Sequence, residues 1–195
     1  MKTIYQRAGL VIIWLGEELT TDPEALRLAI DIRTFINGNQ EVPVDIFGTI
    51  DHEASGIPRA GSPSWRSLML LYGRLWFQRV WIVQEFIFGK TCVMWCGTLE
   101  FDPEILMQPA RRFSAYRQLA KIIASLNSDG TAQYTNRIRE MASLWLLKEI
   151  IGQGKPQGLR LMGLLWQTLA FQATDPRDKV FCAGWPFARR RSRFH

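Results

Sequence analysis

Leu10-Val11-Ile12-Ile13-Trp14-Leu15, closed by Gly16, is the stretch on which the fold turns. It is short, continuous in apolar side chains and rich in β-branched residues. Those traits favour a strand buried on both faces over a helix. Lys2 to Ala8 reads as the end of a helix with Gly9 as its stop. A helix feeding a buried strand places the chain in the α/β class.

Working outward, Thr20-Thr21-Asp22-Pro23-Glu24 reads as a helix start. Thr21 is the expected N-cap, Glu24 completes a capping box, and Pro23 suits the first turn. Ala25, Leu28, Ile32 and Phe35 then share one helical face, and Gly38 ends the helix. The Pro- and Gly-rich stretch 39–63 reads as a long loop. Ser64 is expected to cap a single helix from Trp65 to Phe88, with Gly89 as its stop. Thr91 to Gly97 reads as a second buried strand. Asp102-Pro103 opens a helix expected to run on through Tyr116 to Leu126, and Asn127 to Gly130 reads as a turn. Ile138 to Ile151 is expected to be helical and Gly152 to Gly158 a link. Leu159, Met162, Leu165, Trp166 and Leu169 form a further helical stripe. Asp175-Pro176-Arg177-Asp178 starts a last helix, with Asp175 as cap.

The chain has 195 residues, of which 47% are hydrophobic, enough for one domain with a sizeable core. Its net charge is +6, with Arg189, Arg190, Arg191 and Arg193 together near the C-terminus. The remainder is near balance, so nucleic acid is not an expected partner, and the Arg cluster reads as a solvated tail, with a nuclear-import signal or a phosphate contact as the alternatives. Cys92, Cys96 and Cys182 do not make a disulfide framework. Cys92 and Cys96 lie about 13 Å apart on a strand at the usual rise. With only His52 and His195 available, no metal site is expected. No apolar run reaches the roughly 20 residues of a spanning helix. The expected setting is cytoplasmic and reducing.

If Trp65 to Phe88 is one helix, then Arg74, Gln78, Trp81 and Glu85 fall on one face. Trp81 then lies one turn before Glu85. A carboxylate beside an indole is costly to desolvate unless paired. Glu85 is therefore either a structural acid paired with an arginine such as Arg74, or an acid/base group that orients a hydroxyl. Cys96 reads as a buried strand cysteine, since no histidine is placed to activate it.

The order of these motifs resembles the fungal heterokaryon-incompatibility (HET) domain family. The resemblance rests on Ile4 to Ala8, Val11 to Gly16, Trp76 to Glu85, Cys96-Gly97 and Ala173 to Phe181. It implies a helix-rich α/β fold with a small, mostly parallel sheet, distantly TIR-like (flavodoxin-like). The family's upstream strand and its Ile-Asp-x-x-Cys-Ile-Asn-Gln segment are not seen, so the fold is expected to be incomplete at the N-terminus. Residues 1–181 are expected to form a partial HET domain, and 182–195 a divergent Arg-rich tail. The implied role is nonself recognition and programmed cell death, through self-association or protein partners. An inactive truncated fragment is a further reading. Many NAD-cleaving TIR domains carry their catalytic glutamate four residues after a tryptophan. That pattern implies Glu85 as a catalytic acid beside Trp81 and NAD as substrate; Gln78 and Arg74, from the same expected helix face, join Trp81 as the expected substrate-binding residues.

Overall fold

The computed structural model describes residues 2–38, 56–59, 61–115, 132–152 and 171–184. Helix α1 (Lys2–Arg7) leads into strand β1 (Val11–Trp14), and α2 (Asp22–Gly38) follows. Then come α3 (Pro63–Tyr72), a 3-10 turn (Leu75–Gln78) and α4 (Ile82–Phe88). Strands β2 (Cys92–Cys96) and β3 (Leu99–Phe101) precede α5 (Glu104–Ala115), α6 (Ala132–Gly152) and α7 (Pro176–Gly184). Most of the loop expected at 39–63, the helix expected on through Tyr116 to Leu126, the turn at 127–130, the link and stripe expected at 152–169 and most of the Arg-rich tail lie outside the described residues.

The sheet has the order β1-β2-β3. β1 pairs with β2 in parallel, Val11 opposite Cys92 and Trp14 opposite Trp95. β3 runs antiparallel to β2, so the described sheet is mixed rather than mostly parallel. Cys96-Gly97-Thr98-Leu99 makes the reversal, with only Gly97 and Thr98 between paired residues. Gly97 has φ of +56° at the first turn position, as a tight II′-like hairpin requires.

Burial along β1 alternates, which corrects the reading of a strand buried on both faces. Val11, Ile13, Leu15, Met94, Cys96 and Phe101 point into the core. Ile12, Trp14 and Trp95 remain 50%, 47% and 37% exposed on the opposite side. The continuous apolar run concealed this alternation, because Ile12 and Trp14 are as apolar as the residues between them.

Helix α2 buries the predicted stripe of Ala25, Leu28 and Ile32, and Phe35 packs against it. Its start differs from the capping box. The Leu19 amide donates to Asp22 Oδ2 at 2.7 Å, while the Thr21 hydroxyl has no partner among the described residues. Glu24 reaches another helix instead, accepting from Ser64 Oγ at 2.9 Å and Ser67 Oγ at 2.8 Å. Those serines lie in the first turns of α3, where a carboxylate also meets the positive helix end. Helix α3 begins at Pro63, and neither Ser62 nor Ser64 caps it through its side chain in the expected way. Tyr72 carries α3 across to α5 by donating its hydroxyl to the Leu106 carbonyl at 2.6 Å. The expected Asp102 and Asp175 caps are present, as acceptors from the Glu104 and Arg177 amides.

The largest departure is in 65–88. One continuous helix was expected, yet the chain breaks twice. Gly73 closes α3, Arg74 is extended, and after the 3-10 turn Arg79 is extended again. Tertiary pairing holds the second break open. Arg79 forms a parallel bridge with Gln172, and the Val80 amide donates to the Gln172 carbonyl at 2.9 Å. The Trp81 indole donates to Asp178 at 3.1 Å, and Cys182 Sγ to the Val80 carbonyl at 3.3 Å. The Trp-Phe run and the Asp-Pro-Arg-Asp box are thus neighbours in space. Trp81→Phe is expected to cost about 1–2 kcal/mol through loss of a bond to a carboxylate. Equilibrium urea melts would show it, and a cycle with Asp178→Asn would assign the loss to this pair.

Candidate functional site

Glu85 sits in the first turn of α4 and is partly buried. Its Oε2 accepts from the Trp76 indole at 2.9 Å, and its Oε1 from the Tyr5 hydroxyl at 3.4 Å. Among the described residues it forms no ion pair. The structural alternative in which Arg74 neutralises it is therefore not what is seen. Two neutral donors, one from α1 and one from the 3-10 turn, hold the carboxylate in place. The Tyr5 hydroxyl is raised above its ordinary pKa, first by burial and then by the neighbouring Glu85 carboxylate. Tyr5 therefore stays a donor at neutral pH.

The other three predicted site residues go elsewhere, because the face they were to share does not exist. Trp81 precedes Glu85 by one turn, and the Glu85 amide donates to its carbonyl at 3.2 Å, but its indole turns to Asp178. Gln78 donates its side-chain amide to the Gly73 carbonyl at 3.1 Å. Arg74 is the centre of a separate polar cluster. It donates to the carbonyls of Leu15 at 3.1 Å and Glu17 at 2.8 Å, and forms an ion pair with Asp22. Asp22 is fully buried and also accepts from Cys96 Sγ at 3.2 Å.

This cluster lies at the carboxyl ends of the parallel strands β1 and β2, where open α/β sheets commonly bind ligands. Asp22 Oδ1, Arg74 Nε and Thr21 Oγ1 are buried without hydrogen-bond partners among the described residues. Cys96 belongs to this cluster as a thiol. Burial, then its bond to Asp22, pushes its thiol up to about 12. Burial also pushes Cys182 up to about 12. A thiol of that pKa remains protonated at pH 8. Alkylation at pH 8 is therefore expected to leave Cys96 and Cys182 unmodified in the native chain, while the unfolded chain takes up three labels. Mass spectrometry of digested protein reads this directly.

Tyr5, Trp76, Asp22 and Cys96 were missed as site residues. For Tyr5 and Trp76 no local signal existed, since contacts with Glu85 depend on the break at 79–81. Asp22 carried a signal in its place beside Pro23, but that signal spoke of helix capping alone. Among the described residues no group of His, Cys, Asp and Glu side chains could hold a metal ion. Likewise none of the described helices is long and apolar enough to cross a membrane.

The residues that build both clusters, from Tyr5 to Glu85, fall in one stretch with a recognisable pattern; only Cys96 lies outside it. Residues 1–85 match the heterokaryon incompatibility protein (HET) family. The HET match takes in Tyr5, β1, Asp22, Arg74, Trp76 and Glu85. Cys96-Gly97 and the 173–181 box, which also carried the resemblance, lie beyond the matched HET residues. No curated protein and no solved structure matches the chain.

Proposed function

We propose that this chain is a heterokaryon-incompatibility module that serves fungal nonself recognition and the cell death that follows, through self-association or a protein partner. The HET match over residues 1–85 carries this reading. The open side of the sheet agrees with it. Ile12, Trp14, Val93 and Trp95 share one face by their register, two of them indoles. Aromatic side chains of this kind dominate the energetics of protein contacts. The test is expression of the full chain in fungal cells beside an Ile12→Ser/Trp14→Ser variant. Cell death that vanishes in a variant retaining its circular dichroism and melt supports the reading. Undiminished death, together with a monomer at every concentration in light scattering, removes it.

A second reading is favoured by one observation: Glu85 is held by neutral donors rather than by a cation. In this reading the chain is a TIR-like NAD glycohydrolase. The bond from the nicotinamide nitrogen to the ribose breaks, water adds to the ribose carbon, and nicotinamide leaves. Glu85 accepts a ribose hydroxyl and stabilises the positive charge that develops on the sugar. Its Trp76 and Tyr5 partners then act as positioning residues. Purified wild-type chain is expected to consume NAD and Glu85→Gln to lose that activity. Equal consumption by both would exclude Glu85 from the chemistry.

A further inference from the structure

Strand β1 lies at one edge of the described sheet. The Val11 and Leu15 amides donate to the carbonyls of Thr91, just before β2, and Trp95, at 2.9 and 2.8 Å. Along a parallel strand, alternate residues turn their backbone groups to opposite sides. Ile12 and Trp14 therefore aim N–H and C=O away from β2, where no strand lies among the described residues. Proteins blunt such edges with proline, charge or short length. β3, the other edge, is three residues long and carries Glu100. β1, Val-Ile-Ile-Trp, has neither proline nor charge. Its outward side chains, Ile12 and Trp14, are half-exposed.

This edge suits a copy of itself. With two β1 strands antiparallel about a two-fold axis at Ile13, Ile12 lies opposite the partner's Trp14, and Trp14 opposite the partner's Ile12. Their backbone groups face the gap, so each pair exchanges both of its N–H···O bonds. Each also sets an aromatic ring against a β-branched side chain, a favourable cross-strand pair. The flanks select this orientation. Exposed Arg7 and Lys90 stand where β1 and β2 begin, and exposed Glu17 and Glu18 lie just past the end of β1. The other charges nearby do not reverse this. Arg74, which donates to the Glu17 carbonyl, is paired with Asp22. Glu18 accepts from the uncharged Thr98 hydroxyl at 2.7 Å. Arg79 and Glu85, which both act on Tyr5 of α1, are opposite in sign. Antiparallel pairing sets each basic end against the partner's acidic end, whereas parallel pairing sets like against like. The contact uses the same edge of both copies, so it closes as a dimer.

We propose that two copies of this chain pair antiparallel along β1 and join their sheets, an inference that rests on the self-association route of the function proposed above. Analytical ultracentrifugation of the full chain is expected to show a monomer–dimer equilibrium. Ile12→Pro removes an outward N–H and leaves the ladder to β2 intact, so it is expected to raise the dissociation constant at least about tenfold. Trp95→Ser, on β2, is expected to leave it within about threefold. Amide exchange in the ¹⁵N-labelled chain gives a second readout. The Ile12 and Trp14 amides should gain protection as concentration rises, while Ile13 is protected throughout. Should Ile12→Pro not fold, charge decides: Arg7→Glu and Glu17→Lys should each weaken the dimer, and mixing the two should recover it as a heterodimer. Equal dimer in the mixture and in the separate variants would overturn the proposal. A dimer that survives Ile12→Pro but not Trp95→Ser overturns it and leaves self-association through the sheet face. A chain that causes cell death as a monomer at every concentration overturns it and leaves the route through a protein partner. Protection of both amides regardless of concentration also overturns it, because a segment of the same chain then occupies the edge.

Discussion

Arg74→Met is expected to destabilise the fold by about 3–5 kcal/mol, because it strands a buried carboxylate. Asp22 is fully buried, and its ion pair with Arg74 is the one charge neutralisation it has among the described residues. The same substitution removes the donor to the Leu15 and Glu17 carbonyls, which fixes the path of the chain as it leaves β1. The urea midpoint should fall with little change in slope, since the core stays as large. Adding Asp22→Asn should return part of the loss, because the amide oxygen still accepts from the Leu19 amide while the charge is gone. A loss below about 1 kcal/mol for Arg74→Met would mean that the pair with Asp22 contributes little, and the cluster would lose its structural role.

Gly97→Ala should cost about 2–4 kcal/mol, combining a strained backbone with overpacking. A Cβ at this position would fall 2.5 Å from Glu18 Cβ and 2.7 Å from the Glu18 amide nitrogen. The second of these is main chain, so the neighbour cannot rotate away. The φ of +56° adds strain for any side chain. The Gly97 amide also donates to the Gly16 carbonyl at 2.9 Å, which ties the hairpin to the exit of β1. A thermal melt that drops while the native helical signal persists is the expected result. A change within 0.5 kcal/mol, the usual span of surface substitutions, would show that the Glu18 segment yields freely.

Much of this architecture could be read before any coordinates, and the reasons for the exceptions are local. α1, β1, the face of α2, β2 and the Asp-capped starts of α5 and α7 follow from apolar period and helix punctuation, which are properties of short windows. β3 escaped notice although Gly97-Thr98 stood between alternating residues, because three residues are too few to show a period. The helix expected over Trp65 to Phe88 failed for a different reason. Its interior has good helical spacing, but pairing with Gln172 outweighs local preference at Arg79 and Val80. The candidate site depended on that helix, so its members dispersed: Arg74 to Asp22, Gln78 to Gly73 and Trp81 to Asp178. Glu85 kept an indole partner, but Trp76 supplies it in place of Trp81.

The parallel pairing of Val11 with Cys92 also sets a schedule for biosynthesis. A ribosome adding about 5–20 residues per second delivers β2 some 4–16 s after β1 has been made. Throughout that interval Val11, Ile13 and Leu15 lack the sheet partner they have among the described residues. Slowing translation between Gly38 and Gly89 would lengthen the delay and lower the yield of folded protein.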